Sequence, residues 1–495
     1  MRLEQLASLF IGARISGDPC TVVTGIQTDS RKVRPGDLFL CIPGFVSDGH
    51  DFAAKAAEAG AAALVVERDV PGELPKLFVK DARYAMAVIA CAFYNYPSRE
   101  LKLIGVTGTN GKTTTSSLIE FILRDQRYRT GLMGTISMKI GDDWFEAERT
   151  TQEASDLQMN LRRMLDAGAD YAVMEVSSHA LELGRVKGCR FRTALFTNLT
   201  QDHLDFHQTM ERYKAAKGLF FSRLGNAFSG DPDETAFALL NADDEASADY
   251  AKLTSAQVIT YGLGENADVR ATDIRMTSKG TRFTVTAFGE RADITMKLVG
   301  KFNVYNALGA ISSTLIEKIP LPLIANSLER VSVVPGRMET VGDDSDYLVI
   351  VDYAHTPDGL LKALETIREF CEGRIITVFG CGGDRDRSKR PIMGSIAARH
   401  SDYVIVTSDN PRSEEPEAIL REIEPGIVRE GLSAERYELI ADRRDAIYKA
   451  VEMASPRDVI LIAGKGHEPI QIVGGVHHHF DDRLVAQEAI RGRSK

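Results

Sequence analysis

Cysteine is scarce in this sequence, with six residues in 495, and no two of them form a CxxC pair. Scattered thiols without a disulfide-like spacing predict reduced side chains and not a disulfide-stabilised scaffold. The sequence also lacks an apolar run of about 18 residues, which a membrane-spanning helix needs. The N-terminal stretch carries Glu4 and no sustained apolar segment, which argues against a secretory signal. We therefore expect a cytoplasmic protein without membrane insertion.

An excess of positive charge is missing too, because the formal net charge is -10. Nucleic acids and anionic membranes select basic surfaces, so we expect neither as a partner. An anionic ligand must then be held by local lysine, arginine and backbone N–H groups. A chain of 495 residues has room for about three globular domains, each with its own core.

A glycine-rich loop between a predicted strand and a predicted helix is the most informative segment, and it reads VTGTNGKTTT. Its glycines let backbone N–H groups face an anion, and the helix N-terminus adds partial positive charge. Lys112 can reach terminal phosphates, and the Thr113 hydroxyl can ligate Mg²⁺. Because Val106 stands where a strict Walker motif has its first glycine, an ordinary glycine-rich turn is the alternative. The residues expected around a nucleoside triphosphate are Gly108, Thr109, Asn110, Gly111, Lys112, Thr113 and Thr114.

The alternation of short apolar runs and helical patterns predicts an α/β protein of three domains. Residues 1–97 predict a small N-terminal α/β domain, in which Ser30 follows the first strand and could contact a polar ligand or cap a helix. Residues 98–333 predict a central ATPase-type domain with a mostly parallel sheet. Alternating residues at 270–298, with a turn at Lys279-Gly280, add an antiparallel patch. The predicted strands are 24–27, 38–42 and 62–66 in the first domain, and 171–176, 193–199, 236–241 and 258–261 in the second.

Residues 334–495 predict a Rossmann-like C-terminal domain. Its apolar runs at 347–351, 375–379, 403–407 and 459–463 are each followed by a polar or glycine-rich loop. If these strands are parallel, the loops share one edge of the sheet, where open α/β folds bind ligands.

Two acidic or polar segments could lie beside a bound nucleotide. Glu175 ends a predicted strand, where it could hold Mg²⁺ or be a structural glutamate. The segment NLTQDHLDFH contains Asp202, His203, Asp205 and His207. Zinc is the alternative for this segment, but the absence of thiolates favours a polar loop beside Mg-ATP.

Lys217 lies among apolar and small residues in YKAAKGLFF. Such a setting could depress the pKa of its ammonium group and allow unusual chemistry. From the residues alone, a surface lysine whose stem packs on apolar neighbours is the favoured interpretation.

A turn of Asp409, Asn410, Pro411 and Arg412 combines a carboxylate, an amide and a guanidinium. It would suit the zwitterionic end of an amino acid, and the alternative is a solvated turn with a local ion pair. Arg385 and Glu468, on neighbouring predicted loops, could supply a second such pair. Further along, residues 477–479 are three histidines that we expect in an exposed loop.

Several specific segments stand in order along the chain: TGTNGKTTT, MEVSSHAL, NLTQDHLDFH, YKAAK, KFN with Asn306, VPGRME, VDYAHTP and GKGHE. Together they resemble the Mur ligases, ATP-dependent amide-forming enzymes of peptidoglycan precursor synthesis. The resemblance covers all three predicted domains in order. In the last of them, the DNPR turn and GCGGDRD look like the branch of the family that adds meso-2,6-diaminopimelate to UDP-N-acetylmuramoyl-L-alanyl-D-glutamate.

The resemblance implies ATP and Mg²⁺ as cofactors and an acyl-phosphate intermediate. It implies that Lys112, Glu175, His203 and Lys217 are catalytic, with Lys217 carbamylated so that it binds Mg²⁺ together with Thr113 and Glu175. It implies further ATP contacts from Asn303, Arg337, Asp352 and His355. It implies substrate contacts from Ser30, Thr150, Thr151, Ser177 and Arg185, and amino-acid contacts from Arg385, Asp409, Asn410, Pro411, Arg412, Gly464 and Glu468.

Three alternatives stay open from the sequence. The first two are an L-lysine-adding relative and a folylpolyglutamate synthase-like ligase, and the third is a catalytically silent ATP-binding regulator. A monomer is expected. The segment Phe45-Val46-Ser47 departs from the family at the uridine site, which leaves the uridine contacts there undefined.

Overall fold

The computed structural model describes residues 1–44, 47–147, 149–228, 230–277, 280–331, 334–342 and 345–493. Phe45 and Val46 lie outside the described residues, as do Lys279 of the predicted turn and residue 333 of a predicted domain boundary.

The N-terminal segment forms a five-stranded sheet in the order β1-β5-β4-β3-β2. Strands β2 to β5 are parallel, and β1 pairs antiparallel with β5. The strands predicted at 24–27, 38–42 and 62–66 are confirmed with small shifts of their ends. The elements are α1 (Leu3–Ala7), β1 (Arg14–Ser16), β2 (Gly25–Gln27), β3 (Asp37–Leu40), α2 (Ala53–Glu58), β4 (Ala63–Val66), β5 (Lys76–Phe78) and α3 (Ala82–Phe93).

The central segment contains the predicted strands and the predicted antiparallel patch. Its elements up to β11 are β6 (Lys102–Thr107), α4 (Lys112–Asp125), β7 (Thr130–Met133), β8 (Ser137–Ile140), β9 (Asp143–Glu146), α5 (Ala154–Asp166), β10 (Tyr171–Glu175), α6 (Ser178–Glu182) and β11 (Phe191–Phe196). The remainder are α7 (Leu204–His207), α8 (Met210–Ser222), β12 (Phe237–Asn241), α9 (Ala246–Leu253), β13 (Gln257–Gly262), β14 (Val269–Thr277), β15 (Gly280–Ala287), β16 (Glu290–Met296), α10 (Lys301–Leu315) and α11 (Leu321–Arg330).

Both parallel and antiparallel pairings occur among these strands. β10 pairs parallel with β7, and β12, β13 and β14 are parallel neighbours. The antiparallel pairs are β7-β8, β8-β9, β14-β15 and β15-β16. Strand pairing is therefore mixed in both groups of strands, and the expectation of a mostly parallel sheet missed the hairpins of β7, β8 and β9.

The C-terminal segment is a six-stranded sheet in the order β17-β18-β22-β19-β20-β21. The strands from β18 to β21 in this order are parallel, and β17 is antiparallel to β18. The elements are β17 (Glu339–Val341), β18 (Leu348–Asp352), α12 (Pro357–Phe370), β19 (Ile375–Phe379), α13 (Lys389–His400), β20 (Tyr403–Val406), α14 (Pro416–Arg429), β21 (Tyr437–Leu439), α15 (Arg443–Met453), β22 (Val459–Ala463), β23 (Ile470–Val473), β24 (Val476–His479) and α16 (Asp482–Arg493).

Apolar side chains pack on both faces of this C-terminal sheet, which explains why its strands read as continuous apolar runs. The loops after β18, β19, β20 and β22 lie at the carboxyl edge of the sheet, as predicted. The three histidines at 477–479 are not in a loop. They belong to β24, which pairs with β23 in an exposed two-stranded hairpin, so the loop expectation was wrong.

Two compact units are present. The first comprises Met1–Gly105, Tyr128–Ala194 and Phe228–Ala236, and the second comprises Val106–Arg127, Leu195–Ala227 and Phe237–Lys495. The glycine-rich loop, Lys217 and the whole C-terminal sheet thus belong to the second unit. Among the described residues, no helix is long and apolar enough to cross a membrane.

Candidate active site

The glycine-rich loop follows the buried strand β6 and leads into the N-terminus of α4. Gly108 has φ +146°, and a Cβ at this position would overlap the Thr197 hydroxyl, so only glycine fits. Gly111, with φ +85°, directly precedes α4. The side-chain oxygen of Asn198 accepts from the backbone N–H of Asn110 at 3.0 Å and fixes the loop. This strand, loop and helix form the predicted anion-binding arrangement.

Two lysine side chains meet at one carbonyl of the loop. Lys112 Nζ lies 2.9 Å from the Gly108 carbonyl oxygen and 2.7 Å from that of Thr109. Lys217 Nζ, from α8, lies 2.8 Å from the same Gly108 oxygen. Burial and the nearby charge of Lys112 hold the pKa of Lys217 well below its ordinary value. Lys217 is only 1% exposed, so the interpretation as a surface lysine was wrong.

A pocket of about 410 Å³ lies beside the loop. It is lined by polar and charged side chains together with a few apolar ones, within the second unit. Thr109 forms no part of this lining, but its hydroxyl accepts from the Thr200 N–H at 3.0 Å. The lining includes Asn110, Gly111, Thr114, Asn306, Arg337, Asp352, Tyr353 and His355.

Asn303 lies behind this pocket and not on its surface. It is fully buried, and its Oδ1 accepts from Asn306 Nδ2 at 3.0 Å. Its own Nδ2 donates to the Val299 carbonyl at 2.8 Å. Asn303 therefore orients Asn306, which lines the pocket.

Arg337 connects the pocket to the loop. Its Nη2 donates to Thr113 Oγ1 at 3.1 Å, and its guanidinium lies 4.7 Å from the centre of the Tyr353 ring. Asp352 accepts from the Met338 N–H at 2.7 Å, and burial raises the pKa of this carboxyl group. Desolvation and the charge of Lys389 lower the pKa of His355. An imidazole in this state is neutral at physiological pH.

His203 stands beside Asp202, whose Oδ2 lies 3.3 Å from His203 Nε2. Its ring centre is 6.0 Å from that of Tyr213. The Tyr213 hydroxyl lies 3.2 Å from the Thr109 hydroxyl, which connects this segment to the glycine-rich loop. Across the described part of the chain, no group of three or more His, Cys, Asp or Glu side chains is arranged to hold a metal ion. The zinc alternative therefore has no supporting geometry.

The turn at 409–412 is buried at the carboxyl edge of the C-terminal sheet, with Asp409 only 8% exposed. Asp409 Oδ1 accepts from the Asn410 N–H at 2.7 Å, whereas Oδ2 has no hydrogen-bond partner in the part of the chain that the structure describes. Gly464 has φ +120°, and a Cβ there would lie 2.5 Å from Asp409 Oδ2. A buried carboxylate oxygen without a hydrogen bond can accept from a further donor, such as an ammonium group.

The Arg412 guanidinium interacts electrostatically with that carboxylate, and the Arg385 guanidinium interacts with Arg412. Arg412 Nη1 donates to the Gly383 carbonyl at 2.7 Å, and the Arg385 side chain is exposed on the neighbouring loop. Partial burial and the charge of Arg385 lower the pKa of Arg412. An anionic ligand between these two cations would offset their repulsion. Pro411 completes the turn and accepts from the Glu414 N–H at 3.0 Å.

Glu468 has three neighbours that the sequence analysis only partly anticipated. Its Oε2 accepts from Asn410 Nδ2 at 2.9 Å and lies 3.2 Å from Lys465 Nζ. Its Oε1 accepts from the Tyr353 hydroxyl at 3.3 Å. Lys465 and Tyr353 were not among the predicted site residues, although both stand within the quoted segments GKGHE and VDYAHTP.

The remaining predicted residues belong to the first unit. Ser30 lines a pocket of about 500 Å³ together with Arg31, Arg83 and Arg149. This pocket combines several guanidinium groups, which suit phosphate recognition.

A second polar cluster in the first unit surrounds the end of β10. Thr135 donates through its N–H to Glu175 Oε1 at 2.8 Å, and its hydroxyl lies 3.1 Å from that of Thr150. Thr151 Oγ1 accepts from the Ser177 N–H at 3.0 Å. Arg185 Nη1 donates to the Thr151 carbonyl at 3.1 Å. The structure thus brings together Thr150, Thr151, Glu175, Ser177 and Arg185.

Sequence models of three domains match this chain. The Mur ligase family, catalytic domain matches residues 22–94, the Mur ligase middle domain matches 106–314, and the Mur ligase, glutamate ligase domain matches 336–466. A curated relative from Bacillus cereus is 50% identical over 493 residues, covering 100% of this chain and 99% of the relative.

The chain belongs to the Mur ligase family.

The Bacillus cereus Mur ligase bears the name UDP-N-acetylmuramoyl-L-alanyl-D-glutamate--2,6-diaminopimelate ligase. A relative from Halalkalibacterium halodurans has the same name, with 49% identity over 493 residues, 100% of this chain and 99% of the relative. A solved structure with this name matches at a TM-score of 0.69 and 33% identity, covering 100% of this chain and 99% of that one.

More distant structures share the fold alone. A MurF ligase from Thermotoga maritima in complex with ADP matches at a TM-score of 0.64 and 18% identity, over 95% of this chain and 96% of that one. A Mycobacterium tuberculosis folylpolyglutamate synthase complexed with ADP matches at 0.63 and 19%, over 77% of this chain and 91% of that one.

Proposed function

We propose that this Mur ligase is an ATP-dependent amide ligase that adds meso-2,6-diaminopimelate to UDP-N-acetylmuramoyl-L-alanyl-D-glutamate in peptidoglycan precursor synthesis. The observation that carries the proposal is the 409–412 turn, where a buried carboxylate oxygen of Asp409 has no hydrogen-bond partner among the described residues and interacts electrostatically with Arg412. The names of the relatives at 49% and 50% identity support the same reaction.

The chemistry follows from the poor reactivity of a carboxylate. The D-glutamate carboxylate accepts the terminal phosphoryl group of ATP and becomes an acyl phosphate, which the amine of diaminopimelate attacks with release of phosphate. The amine must be deprotonated, because an ammonium group has no lone pair. Lys112, at the glycine-rich loop, is suited to offset negative charge on the transferring phosphoryl group.

ATP fits the 410 Å³ pocket, since the loop, Asn306 and Arg337 offer hydrogen-bond donors beside a helix N-terminus. Gly108, Thr109, Asn110, Gly111, Thr113 and Thr114 would face the phosphates, with Asp352 and His355 at the pocket wall and Asn303 acting through Asn306. Mg²⁺ would supply charge neutralisation of the phosphates.

Lys217 is suited to carbamylation because carbon dioxide adds to a neutral amine, and the lowered pKa of Lys217 favours that form. The carbamate would replace a cation by an oxygen ligand of the kind that Mg²⁺ prefers. Together with the Thr113 hydroxyl, it would hold the metal. A metal role for Glu175 and a catalytic role for His203 remain predictions from the resemblance.

Arg412 and Arg385 would bind a carboxylate of diaminopimelate, and Asp409 is suited to an ammonium group. The other residues of this pocket would be Asn410, Pro411, Gly464 and Glu468. L-Lysine lacks the distal carboxylate. A site with guanidinium groups left unpaired would reject it by about 10⁴-fold.

The other assignments are proposals of the same kind. Ser30 would contact the uridine-nucleotide portion, and Thr150, Thr151, Ser177 and Arg185 the peptide end of the nucleotide substrate. Domain boundaries at 97 and 333, a monomeric state, a cytoplasmic location and the absence of nucleic-acid binding also stay predictions.

The decisive experiment measures phosphate release with ATP, the UDP-linked dipeptide and a panel of amino acids. We expect turnover with meso-diaminopimelate and almost none with L-lysine. Preferred turnover of L-lysine would identify the lysine-adding alternative, and phosphate release with a folate substrate and glutamate would identify the folylpolyglutamate synthase alternative. ATP binding without any turnover would favour the silent regulator.

Arg412→Ala then tests the placement of the amino acid. We expect the KM for diaminopimelate to rise at least about 100-fold with little change in the KM for ATP, because Arg412 is not part of the lining of the 410 Å³ pocket. The matched control is Arg399→Ala, since Arg399 is exposed and pairs with Glu430 at 2.6 Å. Equal losses for ATP and diaminopimelate would contradict the placement.

A further inference from the structure

Tyr353 contacts both the 410 Å³ pocket proposed for ATP and the pocket proposed for the amino acid. Tyr353 lines the 410 Å³ pocket, and its hydroxyl donates to Glu468 Oε1 at 3.3 Å in the proposed amino-acid pocket. We propose that Tyr353 is a positioning residue that couples nucleotide binding to amino-acid binding. The proposal rests on the proposed function, because it takes the two pockets to hold ATP and the incoming amino acid.

On the nucleotide side, the Tyr353 ring is held by cationic and aromatic neighbours. The Arg337 guanidinium lies 4.7 Å from the ring centre, and the same arginine donates to Thr113 Oγ1 at 3.1 Å. The rings of His355 and His467 lie at centre distances of 4.6 and 5.2 Å. A shift of Arg337 toward bound phosphates would therefore act on the Tyr353 ring directly.

On the amino-acid side, the Tyr353 hydroxyl is one of three donors to Glu468 among the residues that the structure describes. The others are Asn410 Nδ2 at 2.9 Å and Lys465 Nζ at 3.2 Å, and both act on Oε2. Tyr353 is thus the donor that acts on Oε1, and its position sets which way the carboxylate plane faces. Desolvation and the charge of Glu468 raise the pKa of Tyr353, so the phenol keeps its proton as a donor.

These contacts form one continuous path of side chains, from Thr113 through Arg337 and Tyr353 to Glu468. Each step is a hydrogen bond or a cation–ring contact between groups whose positions depend on one another. Because coupling between two ligands is reciprocal, a nucleotide that orders Arg337 should strengthen amino-acid binding, and the amino acid should strengthen nucleotide binding by the same factor.

The simpler alternative is that Tyr353 only fills space between two histidines and an arginine. In that case the ring matters and the hydroxyl does not. Tyr353→Phe separates the two interpretations, since it keeps the ring over which Arg337 lies and removes only the donor to Glu468.

For Tyr353→Phe we expect the KM for diaminopimelate to rise about fivefold, with the KM for ATP within about twofold of the wild type, because one hydrogen bond to a charged group is lost. In calorimetric titrations, the enhancement of diaminopimelate affinity by a non-hydrolysable ATP analogue should fall by a similar factor. Tyr353→Leu, which also removes the ring, should weaken both ligands. Tyr347→Phe is the matched control, since Tyr347 also lies against an arginine, Arg493, at 5.0 Å.

The proposal is overturned if Tyr353→Phe behaves as the wild type while Tyr353→Leu loses both ligands, or if Tyr353→Phe weakens ATP and diaminopimelate equally. The wild type is first assayed with the panel of amino acids. A failure of the proposed function is thereby distinguished from a failure of the proposal for Tyr353. If the wild type uses another amino acid, the same pair of measurements is made with that amino acid, and the same outcomes decide the role of Tyr353.

Discussion

At the scale of single residues, burial decides which side chains can do unusual chemistry. Lys217 has its ammonium nitrogen 2.8 Å from the Gly108 carbonyl and shares that oxygen with Lys112. A second positive charge and a dry environment both favour the neutral amine. The sequence around Lys217 is compatible with either a surface or a buried position, because α8 has small and apolar residues on several faces. Only the packing of α8 distinguishes the two.

Lys217→Arg tests this environment. A guanidinium stays protonated and cannot take up carbon dioxide, so we expect phosphate release to fall by at least about 100-fold. Lys214→Arg is the control on the same helix. Lys214 Nζ pairs with Asp249 Oδ2 at a distance of 2.5 Å, and this pair lies away from the glycine-rich loop. Retained activity in Lys217→Arg would rule out the carbamate as a metal ligand.

His467 provides a prediction about pH. Burial and the charge of Arg337 lower its pKa from 6.5 to about 3, so the folded protein keeps this imidazole neutral. As the pH falls below 6.5, the unfolded chain binds a proton that the folded chain does not, and stability is lost toward pH 3. Relative to His467→Phe, the free energy of unfolding should fall by about 2 kcal/mol between about pH 7 and pH 4.5. Urea unfolding followed by circular dichroism measures the difference, and parallel curves for the two proteins would contradict the assignment.

At the scale of secondary-structure elements, a buried ion pair connects α15 to α16. Arg443 Nη2 lies 2.7 Å from Asp482 Oδ2, and both side chains are fully buried. The same guanidinium donates to the carbonyls of Ser408 and Ala463 at 3.3 and 3.0 Å. It therefore also supports the strand ends that carry Asp409 and Gly464.

Asp482→Ala should destabilise the protein by about 3 to 5 kcal/mol, because it leaves the Arg443 charge buried and unpaired. Glu488→Ala is the matched control, since the exposed pair of Arg444 and Glu488 joins the same two helices at 2.6 Å. That substitution should cost less than about 1 kcal/mol. The free energy of unfolding is measured in urea. Similar decreases for the two variants would show that breaking the buried Arg443 pair destabilises the protein no more than breaking the exposed pair.

At the scale of the whole molecule, the C-terminal sheet has two apolar cores of its own, one on each face. We expect a fragment of residues 334–495 to fold and unfold cooperatively by circular dichroism, without binding ATP, because it lacks the glycine-rich loop. A fragment of 334–453 is the control. It lacks β22, which lies between β18 and β19, so it should not fold. If the fragment of residues 334–495 does not fold on its own, the expectation of an independent C-terminal domain is contradicted.

Much of this architecture could be predicted from the sequence, since doubly buried strands such as β19 and β22 leave continuous apolar runs. The hairpins of β7 to β9 were missed because these strands are only four residues long each and carry little periodicity. Likewise, β24 reads as a polar loop because all its residues are exposed and its pairing with β23 rests on backbone bonds.

The candidate site, too, could be predicted from the sequence only in part. Residues in sequence motifs, such as Lys112 and Arg412, could be named in advance. Tyr353 and Lys465 could not, because their importance comes from contacts with Glu468 across loops distant in sequence. Asn303 was predicted at the nucleotide, but its partner Asn306 lines the pocket. A motif specifies which residues gather, while packing decides which of them face the ligand.

The backbone at Gly464 has a consequence for inhibition. Every other amino acid would place a carbon atom 2.5 Å from Asp409 Oδ2 and would need a backbone conformation unfavourable for L-residues. On the proposed function, a compound that competes with the amino acid by lying against this backbone would meet a surface that a substitution at 464 cannot change without disturbing Asp409. We therefore expect a substitution at position 464 that weakens such an inhibitor to weaken the use of diaminopimelate as well.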